Sequence, residues 1–116
     1  MMQKDNRTIA FVCTGNTCRS PMAEAIFNDM AEKNGVCVRA ESFGIATSTG
    51  LPVSENSVIV CKEIGIDLSG KASTAVADAG IEKYEKFYCM SQSHAKMLMQ
   101  FFLVQPEKIA VLGISD

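Results

Sequence analysis

Five residues separate Cys13 from Arg19 in the segment Cys13-Thr14-Gly15-Asn16-Thr17-Cys18-Arg19-Ser20. Gly15 and Asn16 are the residue types that best tolerate positive φ. A loop using such conformations turns successive backbone N–H groups inward and forms an anion nest. A helix starting at the end of this loop adds its partial positive charge. Arg19 offers a planar, two-toothed grip on phosphate oxygens. Each of these features also stabilises a thiolate at Cys13. A thiolate facing a phosphate cradle is a phosphoryl-accepting nucleophile. The plain alternative is a buried cysteine followed by a Gly-Asn turn. A Cys-x5-Arg-Ser string arises by chance in roughly one chain in a few hundred, and a buried strand before it with a helix start after it favours the chemical reading. No G-x-x-x-x-G-K-S/T string and no G-x-G-x-x-G after a strand competes for the phosphate.

The flanking elements must hold this loop open. Thr8 to Cys13 reads as a strand buried on both faces. Ser20 and Pro21 read as N-cap and N1 of a helix, with Met22, Ile26 and Met30 recurring beside Ala23 and Phe27, and Asn34-Gly35 closing it. A second strand is expected over Val36 to Ser42, a loop over Gly44 to Gly50, and a helix over Pro52 to Ile64 with Gly65 as its C-cap. A short helix over residues 73 to 80 comes before a third strand, Lys86 to Met90. A helix over Ser93 to Phe102 follows, with Met97, Leu98 and Phe101 on one face, then a fourth strand over Lys108 to Leu112. Strands alternating with helices imply right-handed crossovers and a parallel sheet. The expected fold is α/β: three layers, a flavodoxin-like four-stranded sheet with helices on both faces. Ligands bind such sheets at the carboxyl ends of the strands, beside the switch in strand order, which points to the turn after the first strand.

The 116 residues amount to one domain, and a 47% hydrophobic, 21% charged composition is that of a globular chain. A formal net charge of −2 provides no basic surplus for nucleic acid. No run approaches the roughly 18 apolar residues of a membrane span, and the polar segment from Met1 to Arg7 lacks the apolar stretch of a signal peptide. Five cysteines without a C-x-x-C pair, and the single histidine His94, fit free thiols in a reducing, cytoplasmic setting better than a disulfide frame or a zinc site. Cys37, Cys61 and Cys89 are expected in the core, with Tyr84, Tyr88, Phe101 and Phe102. His94 is expected at the surface, without a role.

The stretch FVCTGNTCRSPMAEAIF, residues 11 to 27, resembles the signature of the low molecular weight protein tyrosine phosphatase family. Glu41-Ser42-Phe43-Gly44 resembles that family's Ser-Ala-Gly after its second strand, with Phe43 replacing alanine. GIDLSGKAS, residues 65 to 73, resembles a stretch that often has histidine at the position of Lys71, and FYCMSQSHAKML, residues 87 to 98, resembles its third strand and next helix. The resemblance implies Cys13 as nucleophile and Arg19 as phosphate holder. It also implies that Ser20 bonds the Cys13 sulfur, that Asn16 braces the loop, and that N–H groups of Thr14, Gly15, Asn16, Thr17, Cys18 and Arg19 bind phosphate oxygens. The reaction would be double displacement through a cysteinyl-phosphate on a phosphorylated protein, without metal or cofactor. Asp116 stands where the family has its general acid, without the proline and the C-terminal helix that follow there, so a single phosphatase domain truncated at its C-terminus is expected.

Thr14, where tyrosine phosphatases of this family usually carry an aliphatic residue, resembles the protein arginine phosphatase branch. With no aromatic in Ile45-Ala46-Thr47-Ser48-Thr49 to stack on a phenol, it leans the reading toward phosphoarginine over phosphotyrosine. Thioredoxin-coupled arsenate reductases share the turn but need two further cysteines, and Ser91 stands near the first of those positions. An inactive phosphate-binding fragment is the non-enzymatic alternative. The resemblance also suggests a reversible Cys13–Cys18 disulfide, against Cys18 simply packing under the loop. The sequence points to no oligomeric state.

Overall fold

The computed structural model describes residues 7–112. Four strands, β1 (Arg7–Cys13), β2 (Val38–Gly44), β3 (Lys86–Cys89) and β4 (Ile109–Val111), alternate with helices α1 (Arg19–Lys33), α2 (Glu55–Glu63) and α3 (Gln92–Phe101). Short 3-10 turns cover Val76–Asp78, Ile81–Lys83 and Pro106–Lys108. All strand pairs are parallel, in the order β2-β1-β3-β4. The chain leaves β1 toward β2 and later returns to β1's other side. The switch in strand order therefore falls at the carboxyl end of β1, where Cys13 lies opposite Gly44.

The pleat divides β1 between two cores. Ala10 and Val12 point with Phe43, Phe87 and Cys89 into a cluster closed by Ala95 and Leu98 of α3. Phe11 points the other way, with ring centroids 6.1 Å from Phe27 of α1 and 5.8 Å from Tyr88. Helices thus cover both faces of the sheet, as expected for the doubly wound architecture. A smaller cluster of Val53, Cys61 and Leu68, joined by Met22 and Ala25, ties α1 to α2.

Several boundaries differ from expectation, each for a local reason. β2 begins at Val38 rather than Val36, because Val36 belongs to the end of α1. Its N–H bonds Ala31 O at 2.9 Å and the N–H of Gly35 bonds Glu32 O at 3.3 Å, with Gly35 at φ +67°. This is a Schellman closure, and it leaves Val36 49% exposed. α2 starts at Glu55, capped by Ser54, whose hydroxyl accepts from Ser57 N–H. Pro52 bridges Ala72 instead. The expected helix over 73 to 80 is reduced to the turn at Val76–Asp78. On α3 the buried face is His94, Ala95 and Leu98, and Phe101 is 64% exposed. Tyr84 is buried, Tyr88 and Phe102 are half-buried, and Cys37, outside β2, is exposed while Cys61 and Cys89 are buried.

Those buried acids set the alkaline limit of the fold. Burial pushes the Cys89 thiol up to about 12 and raises Cys61. Burial, then the hydrogen bond to Glu41, raises the Tyr84 phenol. Unfolded, thiols titrate near about 8.5 and phenols near about 10. Between those values and the folded ones the native chain holds more protons than the unfolded chain. Stability is therefore fully present below about pH 8.5 and falls as pH rises toward 12. Denaturant midpoints should decline from about pH 8.5 upward, and Cys89→Ala should flatten that decline. An identical pH slope in the variant would show that Cys89 is not its source.

Candidate active site

Cys13 ends β1, and the loop to α1 closes over its sulfur. Ser20 Oγ lies 2.8 Å from Cys13 Sγ, and the N–H of Asn16 donates to the same sulfur at 3.2 Å. Asn16 is 1% exposed and adopts φ +56°. Gly15, expected to share that conformation, is absent from the positive-φ residues. One asparagine is enough to reverse the chain here, because its own side chain supports the turn.

That side chain orders the whole site. Thr74 N–H donates to Asn16 Oδ1 at 2.7 Å, so the other end of the amide must be the donor. Asn16 Nδ2 donates to Ser20 Oγ at 2.8 Å and to Ser42 Oγ at 2.9 Å. Ser20, having accepted there, keeps its own proton available for Cys13 Sγ. Ser42 Oγ donates to Glu24 Oε1 at 2.6 Å, and Lys71 Nζ donates to Glu24 Oε2 at 2.9 Å. A line of donors thus runs between a carboxylate on α1 and the sulfur. Asn16→Ala should lower stability by about 2–5 kcal/mol in denaturant unfolding, since it leaves buried partners unpaired and places a Cβ residue at positive φ without a local hydrogen bond. Asn16→Gly should lose about 1 kcal/mol less, the part owed to φ. Equal losses would assign the whole effect to the hydrogen bonds.

The loop's carbonyls are drawn outward. Cys13 O accepts from Ile45 N–H at 2.9 Å, Thr14 O from Ala46 N–H at 3.0 Å, and Thr17 O from Ser54 N–H at 2.8 Å. Among the described residues, no hydrogen bond takes up the N–H groups of Thr14, Gly15, Thr17 and Cys18. Outward carbonyls with available N–H groups are what an anion nest needs. The close approach of Ile45 and Ala46 requires Gly44: a Cβ there would lie 2.6 Å from Thr47 Cγ2 and 2.8 Å from Thr14 O. Thr47, Ser48 and Thr49 continue beside the loop, held by Ser73 Oγ on Ser48 O at 2.6 Å and by Thr49 Oγ1 on Asp78 at 2.5 Å.

α1 begins two residues earlier than expected. Cys18 is its N-cap, Arg19 its first residue, and Ser20 and Pro21 follow in the first turn. Ser20 is therefore not the cap, and its hydroxyl serves the sulfur instead. Pro21 remains within the turn whose N–H groups have no helical partner. Arg19 is half-buried at the positive end of α1. Cys18 is exposed and donates its S–H to Ser54 Oγ at 3.3 Å. Asp116, the expected general acid, lies outside the described residues.

Sequence reasoning missed three participants. Glu24 lay in the helix of the first motif, one turn beyond Ser20, and Ser42 in the Glu41-Ser42-Phe43-Gly44 stretch, and neither carried an expected role. His94 is not at the surface: it is 2% exposed, and its Nε2 lies 2.9 Å from Thr14 Oγ1. Its signal was the Ser91-x-x-His94 spacing at a helix start, where a capping box would put a polar residue. Ser91, where a reductase would need a cysteine, is the N-cap of α3. No group of three or more His, Cys, Asp or Glu that could hold a metal occurs among the described residues, nor does a helix long and apolar enough to cross a membrane.

A thiol at a strand end, an N–H cradle and an arginine at a helix start define a cysteine-dependent phosphatase class of site. The sequence model for low molecular weight phosphotyrosine protein phosphatase matches residues 8–114, and the chain belongs to that family. It is 34% identical over 104 residues to a protein-arginine-phosphatase of Bacillus subtilis, covering 90% of this chain and 69% of that one. It is 36% identical over 86 residues to the low molecular weight protein-tyrosine-phosphatase YfkJ of the same organism, covering 72% of this chain and 55% of that one. The crystal structure of a low molecular weight protein tyrosine phosphatase from T. tengcongensis superposes with a TM-score of 0.86 at 34% identity, over 94% of this chain and 78% of that one.

Proposed function

We propose that this chain carries the phosphatase site of a protein that removes phosphate from phosphorylated protein side chains, with phosphoarginine favoured over phosphotyrosine. The observation that carries the reading is the Cys13 sulfur, bonded by Ser20 and the Asn16 N–H, below a loop whose carbonyls are turned away. Cys13 Sγ attacks phosphorus; the S–P bond forms as the P–N bond of phosphoarginine, or the P–O bond of phosphotyrosine, breaks. The leaving nitrogen or oxygen takes up a proton, for which we assign Asp116 as donor. Water then attacks phosphorus, the S–P bond breaks, and inorganic phosphate leaves with the thiolate restored. Ser20 eases that departure by donating to the sulfur. Arg19 and the N–H groups of residues 14 to 19 hold the phosphoryl oxygens throughout. No cofactor enters the scheme. An odd number of cysteines without a C-x-x-C pair supports a reducing, cytoplasmic setting, and Cys18 is the partner for a reversible oxidation of Cys13 to a disulfide.

Thr14 supports the phosphoarginine preference, because a hydroxyl beside the nucleophile suits a polar guanidino group better than an aromatic ring. The test is the ratio of kcat/KM for a phosphoarginine peptide to that for a phosphotyrosine peptide. Thr14→Ile should lower that ratio by roughly tenfold or more, as an apolar wall replaces a hydrogen-bonding one. An unmoved ratio would remove Thr14 as the selector. Failure of the chain to release phosphate from either peptide would overturn the reading itself.

A further inference from the structure

Thr14 is exposed, and an exposed threonine ordinarily samples more than one rotamer. Here its hydroxyl is tied to the buried ring of His94 on α3. The ring's other nitrogen, Nδ1, lies 3.2 Å from Ser91 N and 3.1 Å from Ser91 Oγ. A backbone N–H can only donate, so Nδ1 accepts, and the proton of the neutral ring sits on Nε2. Nε2–H therefore donates to Thr14 Oγ1. This uses one lone pair of the hydroxyl and keeps the second lone pair and the hydroxyl proton available. Because the threonine Cβ is chiral, holding Oγ1 also sets where the methyl group lies.

Glu or Gln ordinarily fills the third position of a capping box. Either would serve the Ser91 N–H, and only a ring offers a second nitrogen at its far end for the phosphate loop. We propose that His94 is a positioning residue for substrate selection. It holds Thr14 in one rotamer with a lone pair open to a hydrogen-bond donor on the leaving group. A guanidino group carries such N–H donors beside phosphorus, whereas the bridging oxygen of an aryl phosphate carries no hydrogen. The inference rests on the phosphatase reading and deepens it: His94, acting through Thr14, favours nitrogen leaving groups.

Asparagine and glutamine separate the two ends of the ring. His94→Asn keeps an acceptor near Nδ1 for the cap and loses the reach to Thr14, whereas His94→Gln, extended, places its amide near the Nε2 position at the cost of the bond to Ser91 N–H. The phosphoarginine-to-phosphotyrosine ratio of kcat/KM should fall roughly three- to tenfold in His94→Asn, the worth of one hydrogen bond, and stay nearer the unsubstituted value in His94→Gln. In a Thr14→Val background His94→Asn should move the ratio no further, since valine cannot receive the Nε2 proton. A role confined to capping α3 would lower both activities alike and persist in that background, and this result would overturn the inference. Nitrogen NMR of the ring reads the arrangement in the unsubstituted chain, independently of turnover. A proton on Nε2 with Nδ1 bare is expected, and the opposite tautomer would overturn it. Should neither substrate be hydrolysed, the phosphatase reading falls, and the rotamer couplings of Thr14 still decide the positioning: one rotamer in the parent chain, averaging in His94→Asn. Unchanged couplings count against it.

Discussion

Cys13→Ser should lower turnover of phosphorylated peptides by roughly 10⁴-fold or more while leaving a folded chain that still binds inorganic phosphate. The two effects separate because the sulfur and the cradle are built from different parts. The N–H groups of the loop and Arg19 remain when the sulfur goes, and serine, at the sulfur's place, still meets Ser20 and the Asn16 N–H. A hydroxyl in that position is a far weaker nucleophile than a thiolate, so the S–P bond cannot be replaced at a comparable rate. Iodoacetate labelling gives an independent check on the parent chain. Cys13 is buried below the loop and Cys18 is exposed, so accessibility alone would favour Cys18. Faster labelling at Cys13, suppressed by phosphate, is the expected result. Labelling that follows exposure and ignores phosphate would sink the assignment of Cys13 as nucleophile.

Arg19→Lys should lower kcat/KM by about 10²–10³-fold, although the charge is unchanged. The loss comes from geometry. A guanidinium presents a planar fork that matches two phosphoryl oxygens at once, whereas an ammonium is a point charge on a flexible stem. Arg19 stands at the first position of α1, where the helix dipole already favours an anion, so lysine should keep much of the ground-state attraction. The expected signature is a fall in kcat larger than the rise in KM, since oxygens carrying more charge in the transition state need the fork most. A variant with near-parental kcat would show that the loop's N–H groups suffice and that Arg19 does not grip the phosphoryl group.

The phosphate loop and the parallel α/β layout could be read from residue order because both depend on local chemistry. A buried apolar strand, a Gly-Asn reversal and a proline near a helix start are each encoded within a few residues. Their alternation along the chain implies a parallel sheet with its site at the strand ends. The residues that organise the site lie far apart in sequence, and only their meeting in space assigns them roles. Ser42 meets Asn16, and joins it to Glu24 and Lys71, only because β2 lies beside β1, and Thr74 reaches the same amide from 58 positions away. His94 reaches Thr14 across eighty positions because β3 pairs with β1 on its other side and delivers the start of α3 to the same end of the sheet. Even the start of α1 was decided by a tertiary bond. Ser20 had the composition of a cap, but the sulfur and the Asn16 amide took its hydroxyl, and the helix began two residues sooner. Side-chain hydrogen bonds have no periodicity, so these pairings left no pattern in the chain.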